Sequence, residues 1–371
     1  MQQVRKSFIF FVVIGVVLGF LGGVVGELWI NSFLMPDPYL SFKSYSDLSK
    51  KLDELITTQD KVTNLDQRDA KVNEMLNKVQ GTTVSVYKYK KLSTTNFASL
   101  LPEDYLSQGI IITNDGWLMV SNSGARNDKA KYLVVTSENK ILETDKVVVD
   151  KYTGVTFMKV NANNLSVAEF ALRENLVNGQ TLFALGTRRN VTEYNIKNLN
   201  YSNLARTEDF LHSSEIFYKD ILLSGAVAKE SFGSPVMTTD GRVAGIIKDE
   251  TGLVLPIDHL IQQMKNIVQG QNWVRPYLGL SFYDLSEVVN SDITQTKGIM
   301  ISRVRGISLD SPAVSILETG DIVLRVENEE INQNRNFCDI ISTYKAGDSL
   351  KLTILRGAEQ KEVTVKSASM K

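Results

Sequence analysis

The stretch KESFGSPVMTTDGRVAGII, residues 229–247, decides how the chain is to be read. Two runs suited to strands, one from Ser234 and one from Arg242, flank Asp240-Gly241. That dipeptide supplies the turn between them. The loop ahead of the hairpin, Glu230-Ser231-Phe232-Gly233-Ser234-Pro235, sets an aromatic side chain between two serines and a glycine. What it can do depends on the groups the rest of the chain brings to it.

From Gly81 onward the same texture repeats. TTVSVYKY, GIIITNDGWLMVSNS, KYLVVTS, KVVVD, GVTFMKV, TLFALG, GAVAK and GLVLPI all favour strands, with Asn114-Asp115-Gly116 supplying a further turn. Many short strands without intervening helices predict a sandwich or barrel, so the chain is mainly β. PIDHLIQQMKNIVQG has helical character and closes this section near residue 270. The last hundred residues form a second β-rich unit with one or two short helices, built on RPYLGLSFYDL, KGIMISRV, SPAVSILETGDIVLRVENEEI, NRNFCDIISTY and DSLKLTILRG.

The N-terminus is of another kind. Residues Ser7 to Gly26 are twenty positions without a charge, preceded by Arg5 and Lys6 and followed by Glu27. That length suits a transmembrane helix, and the flanking charges place the first six residues in the cytoplasm and the bulk outside, in a periplasm or at a cell surface. A cleaved signal peptide would have a shorter apolar run and a clearer cleavage site. Pro36 and Pro38 then break the chain. Residues 45–79 read as a stalk helix with apolar positions near heptad spacing, interrupted by Lys51, Thr58 and Asp69. The expected division is residues 1–34 as tip and anchor, 35–68 as stalk, 69–270 as the first β domain and 271–371 as the second.

Composition excludes several functions. The 371 residues carry 41 Lys+Arg against 42 Asp+Glu, so no basic field points to nucleic acid. A single cysteine, Cys338, and two histidines, His212 and His259, supply neither a disulfide nor a zinc site. No metal and no cofactor is expected. Cys338 reads as a small buried apolar residue and Gly320-Asp321 as a structural turn.

In order and spacing, these motifs resemble the HtrA family of envelope serine proteases, and its membrane-anchored DegS-like branch in layout. The resemblance rests on GIIITNDGWLMVSN, TLFALGT and SFGSPVMTTDGRVAGII, and on YLGL with the final strands. It implies a trypsin-like double β-barrel followed by a C-terminal PDZ domain, commonly assembled as a homotrimer. Carried over residue by residue, it places Ser123 at the family's histidine, Gly154 at its aspartate and Phe232 at its serine. None of the three can do its partner's work. A serine hydroxyl needs a base to take its proton and a third group to orient that base. Glu230, where the family has glycine, would also set a carboxylate beside a developing oxyanion. Shifting the nucleophile to Ser231 or Ser234 breaks the match of Gly233 and Pro235 and still leaves no base. A Lys229–Ser231 dyad would need a buried lysine with a lowered pKa. His212 reads as a loop residue and His259 as an early-helix residue.

The second domain keeps its binding chemistry. The resemblance makes Tyr277-Leu278-Gly279-Leu280 a loop whose backbone N–H groups hold a peptide's terminal carboxylate. The strand after it, with Ser281 and Phe282, would pair with ligand backbone, and Ile340 or Ile341 would line an apolar pocket. The expected protein is a membrane-anchored pseudoprotease that binds protein C-termini or unfolded polypeptides. Two alternatives are an active envelope endopeptidase and a regulatory subunit of an active relative.

Overall fold

The computed structural model describes residues 14–25, 63–91, 100–121, 124–186, 190–228, 231–271, 274–289 and 295–370. Residues 14–25 are helical, and the rest of the expected span Ser7–Gly26 lies outside the described residues. Among the described residues no helix is long and apolar enough to cross a membrane. The stalk sequence is helical over α1, Thr63–Gln80; residues 45–62 lie outside the described residues. The chain divides into residues 1–68 and a second unit, 69–371, which holds everything below.

Six strands close the first barrel: β1 (Thr83–Lys88), β2 (Tyr105–Ile111), β3 (Trp117–Ser121), β4 (Tyr132–Thr136), β5 (Ile141–Asp150) and β6 (Val155–Val160). Their order around it is β1-β2-β3-β6-β5-β4. Val86, Leu118, Val120 and Met158 fill its interior, while the alternate residues of β3 and β6 face out of the barrel and are largely buried as well. The second barrel runs β10-β13-β12-β11-β7-β8, with β7 Thr181–Leu185, β8 Val191–Tyr201, β10 Asp220–Leu223, β11 Pro235–Thr238, β12 Val243–Ile247 and β13 Leu253–Pro256. The opening hairpin is β11–β12, with Val236 opposite Gly245. One core spans both barrels. Met119 and Phe157 from the first meet Phe183, Met237 and Ile246 from the second, and Met75 and Val79 of α1 cover them. Residues 257–260 and α2, Ile261–Val268, close the section, adding Ile257, Leu260 and Met264 to that core.

The last domain has its own core around Phe282, Phe337, Ile340 and Leu352. Its main strands are β15 (Ser281–Asp284), β16 (Ile299–Ile301), β17 (Ile322–Val326), β19 (Ser349–Arg356) and β20 (Glu359–Lys366). Short pieces complete it: β14 (Pro276–Tyr277) pairs with β21 (Ala368–Ser369), and β18 (Glu329–Glu330) with β17. Helix α3, Phe337–Ile341, is capped by the Asn336 side chain, which accepts from Asp339 N–H. Cys338 is buried, and burial pushes its thiol well up, so it is inert.

Two expectations fail. GAVAK forms no strand, residues 225–228 being irregular. His212 is no loop residue: Leu211–Ser213 is a strand, β9, and it belongs to the last domain's sheet, whose order is β20-β19-β17-β16-β15-β9. A three-residue strand carries too little periodicity to be seen in sequence.

Candidate functional site

Ser231 to Ser234 form a tight turn. Ser231 N–H donates to Ala228 O at 2.9 Å and Ser234 N–H to Ser231 O at 3.0 Å. Gly233 N–H donates to Ile247 O at 2.9 Å, and Ile247 N–H returns to Ser234 O at 3.0 Å, tying the turn to β12. Gly233 has φ +78°, and a Cβ there would lie 2.4 Å from Ser121 Cβ at the end of β3. The turn of the second barrel therefore presses on the strand end of the first, which is where a catalytic centre shared by two barrels would have to be built. Ser123, two residues past Ser121, lies outside the described residues, as do Lys229 and Glu230.

Phe232 is half-buried and packs against the second barrel's core, which includes Leu182 and Ala184. It also lines a cleft of about 1070 Å³ together with Tyr105, Leu106, Leu185 and Asn190. An apolar ring thus faces this cleft from the turn. Gly154, at the mouth of β6, has φ +73° and its N–H donates to Asp150 O at 3.1 Å. The carboxylate nearest in sequence, Asp150, is used for structure. It accepts from Tyr152 N–H at 2.9 Å, Thr153 Oγ1 at 2.6 Å and Arg275 Nη2 at 3.3 Å.

Both histidines are committed elsewhere. His259 is buried, stacks on Phe217 with ring centroids 3.8 Å apart, and bonds through Nε2 to Asp339 Oδ1 at 2.9 Å. Burial lowers its pKa against the pull of Asp339, so the neutral ring donates from Nε2 and turns a bare Nδ1 inward. His212 bonds to Glu287 Oε2 at 2.8 Å and stacks on Tyr218 at 3.9 Å. Next to Tyr218, the buried Lys219 pairs with Asp284 at 2.8 Å. Burial alone would raise the Asp284 carboxyl, but Lys219 and hydrogen bonds from Ser286 and Tyr218 hold it below its ordinary value.

The loop expected to hold a carboxylate does hold one. Gly279 (φ +66°) takes the left-handed backbone that turns successive N–H groups inward. Glu215 Oε1 accepts Gly279 N–H at 2.9 Å and Leu278 N–H at 3.2 Å, while Leu280 N–H goes to Ser214 Oγ at 3.0 Å. Tyr277 stands aside: its hydroxyl donates to Asp310 at 2.7 Å. The open edge of β15 is paired with β9, Ser213 lying opposite Ser281 and His212 opposite Phe282. From the facing wall, Cys338 Sγ donates to Ser213 O at 3.4 Å, and Ile341 of α3 lines a cavity of about 20 Å³ beside Ser214. Ile340 and Ile341 both belong to the domain's core, and of the two only Ile341 reaches this cavity. Sequence reading found this loop and missed its occupant, since Ser214 and Glu215 carry no signal beyond a polar pair after a short apolar run.

Two closed barrels meeting at such a turn, followed by a domain with a carboxylate-holding loop, define a trypsin-type scaffold with a peptide-binding module. A trypsin-like peptidase domain model matches residues 105–246 and a PDZ domain model residues 276–367. The serine endoprotease DegS of Haemophilus influenzae is 27% identical over 74% of this chain and 80% of its own length. A probable periplasmic DegP-like serine endoprotease of Halomonas elongata is 25% identical over 70% of this chain, which spans 56% of that relative's length. The solved HtrA-type protease AlgW with tripeptide superposes with TM-score 0.61 at 16% identity, covering 81% of this chain and 97% of that one. The chain belongs to the HtrA family.

Proposed function

We propose that the chain is an HtrA-type pseudoprotease, anchored in a membrane by its N-terminal segment and facing the extracytoplasmic side, that binds peptide C-termini or unfolded polypeptide through its PDZ domain. The observation that carries this reading is the placement of the histidines. The sequence has two, and each is tied to a carboxylate of the PDZ domain, Glu287 or Asp339, so neither serves the 231–234 turn as a base. At that turn Phe232 offers no nucleophile. Peptide binding is supported by the carboxylate-holding loop and by the PDZ domain match. The uncharged run Ser7–Gly26 supports the anchor, while assembly as a homotrimer rests on family resemblance alone.

The competing reading is serine endoproteolysis, the activity for which the relatives are named. Incubating the purified chain with unfolded casein separates the two. Intact casein is the expected result. Cleavage that disappears in Ser231→Ala or Ser234→Ala would overturn the pseudoprotease reading.

A further inference from the structure

A segment of the chain itself lies along the edge strand β15 of the PDZ domain. β9 occupies the edge of β15 that an added strand would use, and one edge pairs with one strand only. Beyond β9, Ser214 N–H donates to Leu280 O at 2.9 Å, continuing the ladder into the loop. There the N–H groups of Leu278 and Gly279 close on the Glu215 carboxylate. A side-chain carboxylate and a peptide's terminal carboxylate present the same two oxygens and the same charge. The loop cannot take both, because two anions sharing one small nest repel each other strongly away from bulk water.

We infer that residues 211–215 are a built-in ligand of the PDZ groove, Glu215 standing where a bound peptide's terminal carboxylate would stand, so that outside peptide binds only by displacing this segment. The inference rests on the peptide-binding reading above. A segment joined to the groove by its own chain competes at an effective concentration on the order of millimolar. The apparent affinity for outside peptide then falls by the fraction of molecules whose groove is open. Charge-assisted bonds to a carboxylate are among the stronger hydrogen bonds, so removing Glu215 raises that open fraction by about 10- to 100-fold. The segment runs directly into Lys219, bonded to Asp284, and then into β10 of the second barrel, so displacement also loads the barrel that carries Phe232.

The test uses the full-length chain and two probe sets, fluorescent decapeptides with free C-terminal carboxylates and the same decapeptides amidated. The expected result is weak binding to the unmodified chain, binding about 10- to 100-fold tighter to Glu215→Ala, and none of the amides bound by either. A second variant, Ser213→Cys with Ser281→Cys in a Cys338→Ala background, bridges the directly opposed pair of β9 and β15. Oxidised, it should bind no peptide, and reduction should restore binding. Equal, tight binding of carboxylate peptides by the unmodified chain, Glu215→Ala and the oxidised pair would overturn the inference and leave the peptide-binding reading standing. No binding to Glu215→Ala, with its Leu278–Leu280 amides exchanging freely with solvent, would overturn the peptide-binding reading itself and the inference with it.

Discussion

Arg173 Nη2 donates to Asp339 Oδ2 at 2.5 Å, joining the turn before the second barrel to the helix α3 of the PDZ domain. Both side chains are buried, and neighbours on each side complete the pair. Asp258 accepts the Arg173 backbone N–H at 3.1 Å, and Asn336 donates to the same Asp339 oxygen at 2.6 Å. A pair of this kind contributes little net stability over apolar packing, yet removing one partner strands a charge. Arg173→Ala should therefore cost about 3–5 kcal/mol in urea unfolding. Arg173→Met with Asp339→Leu should cost far less than the sum of the single changes, which a double-mutant cycle will read.

The same cluster sets the chain's response to acid. Burial alone would raise the Asp339 carboxyl, but Arg173 and the hydrogen bond from His259 hold it at about 2, against an ordinary 3.8. The unfolded chain takes up this proton first as pH falls. The stabilisation is complete above about pH 4 and is lost between about 4 and 2, on the order of 2 kcal/mol in all. His259 is pushed below its ordinary 6.5, by burial first, so the unfolded chain binds a proton there that the folded chain refuses. Stability should begin to fall below about pH 6.5 and fall again below about pH 4. Urea midpoints from pH 8 to pH 3 should show both steps, and His259→Gln should lose the upper one.

The barrels and the PDZ domain were legible because their strands are long enough to alternate and their turns carry Asp-Gly, Asn-Asp-Gly and Leu-Gly signals. What binds across domains was not legible. Arg173 and Asp339 are 166 positions apart, and Glu215 lies 64 positions before the loop it fills. No periodicity links such groups; only the fold brings them together. The histidines show the same limit. Their distance from any triad motif could be read, but the carboxylates they serve could not.

Gly233 is one of the points at which the two barrels touch. Alanine there carries two separate costs, a left-handed backbone at φ +78° and a Cβ 2.4 Å from that of Ser121. Together these should lower stability by about 2–4 kcal/mol. Adding Ser121→Gly removes the closest clash but leaves Ser107 Oγ at 2.8 Å and the backbone cost, so the double variant should recover less than half the loss. Full recovery in thermal unfolding would show that the backbone at Gly233 is free to relax.

Phe232→Ser gives the loop the residue type of a nucleophile, yet it should not create a protease. A triad acts as one unit: without a base the serine stays protonated, and without an orienting carboxylate no base is held in place. On the proposed reading Ser123 and Gly154 supply neither, and Gly154 holds φ +73°, where an aspartate would be strained by about 1–2 kcal/mol. Phe232 is half-buried against the second barrel, so its loss should cost about 1–2 kcal/mol of stability while casein turnover stays at background. Measurable turnover by Phe232→Ser alone, with a pH profile reporting a single base, would mean that a group outside the triad positions takes the serine's proton. Lys229, two residues before Ser231 in sequence, would then be the first to replace.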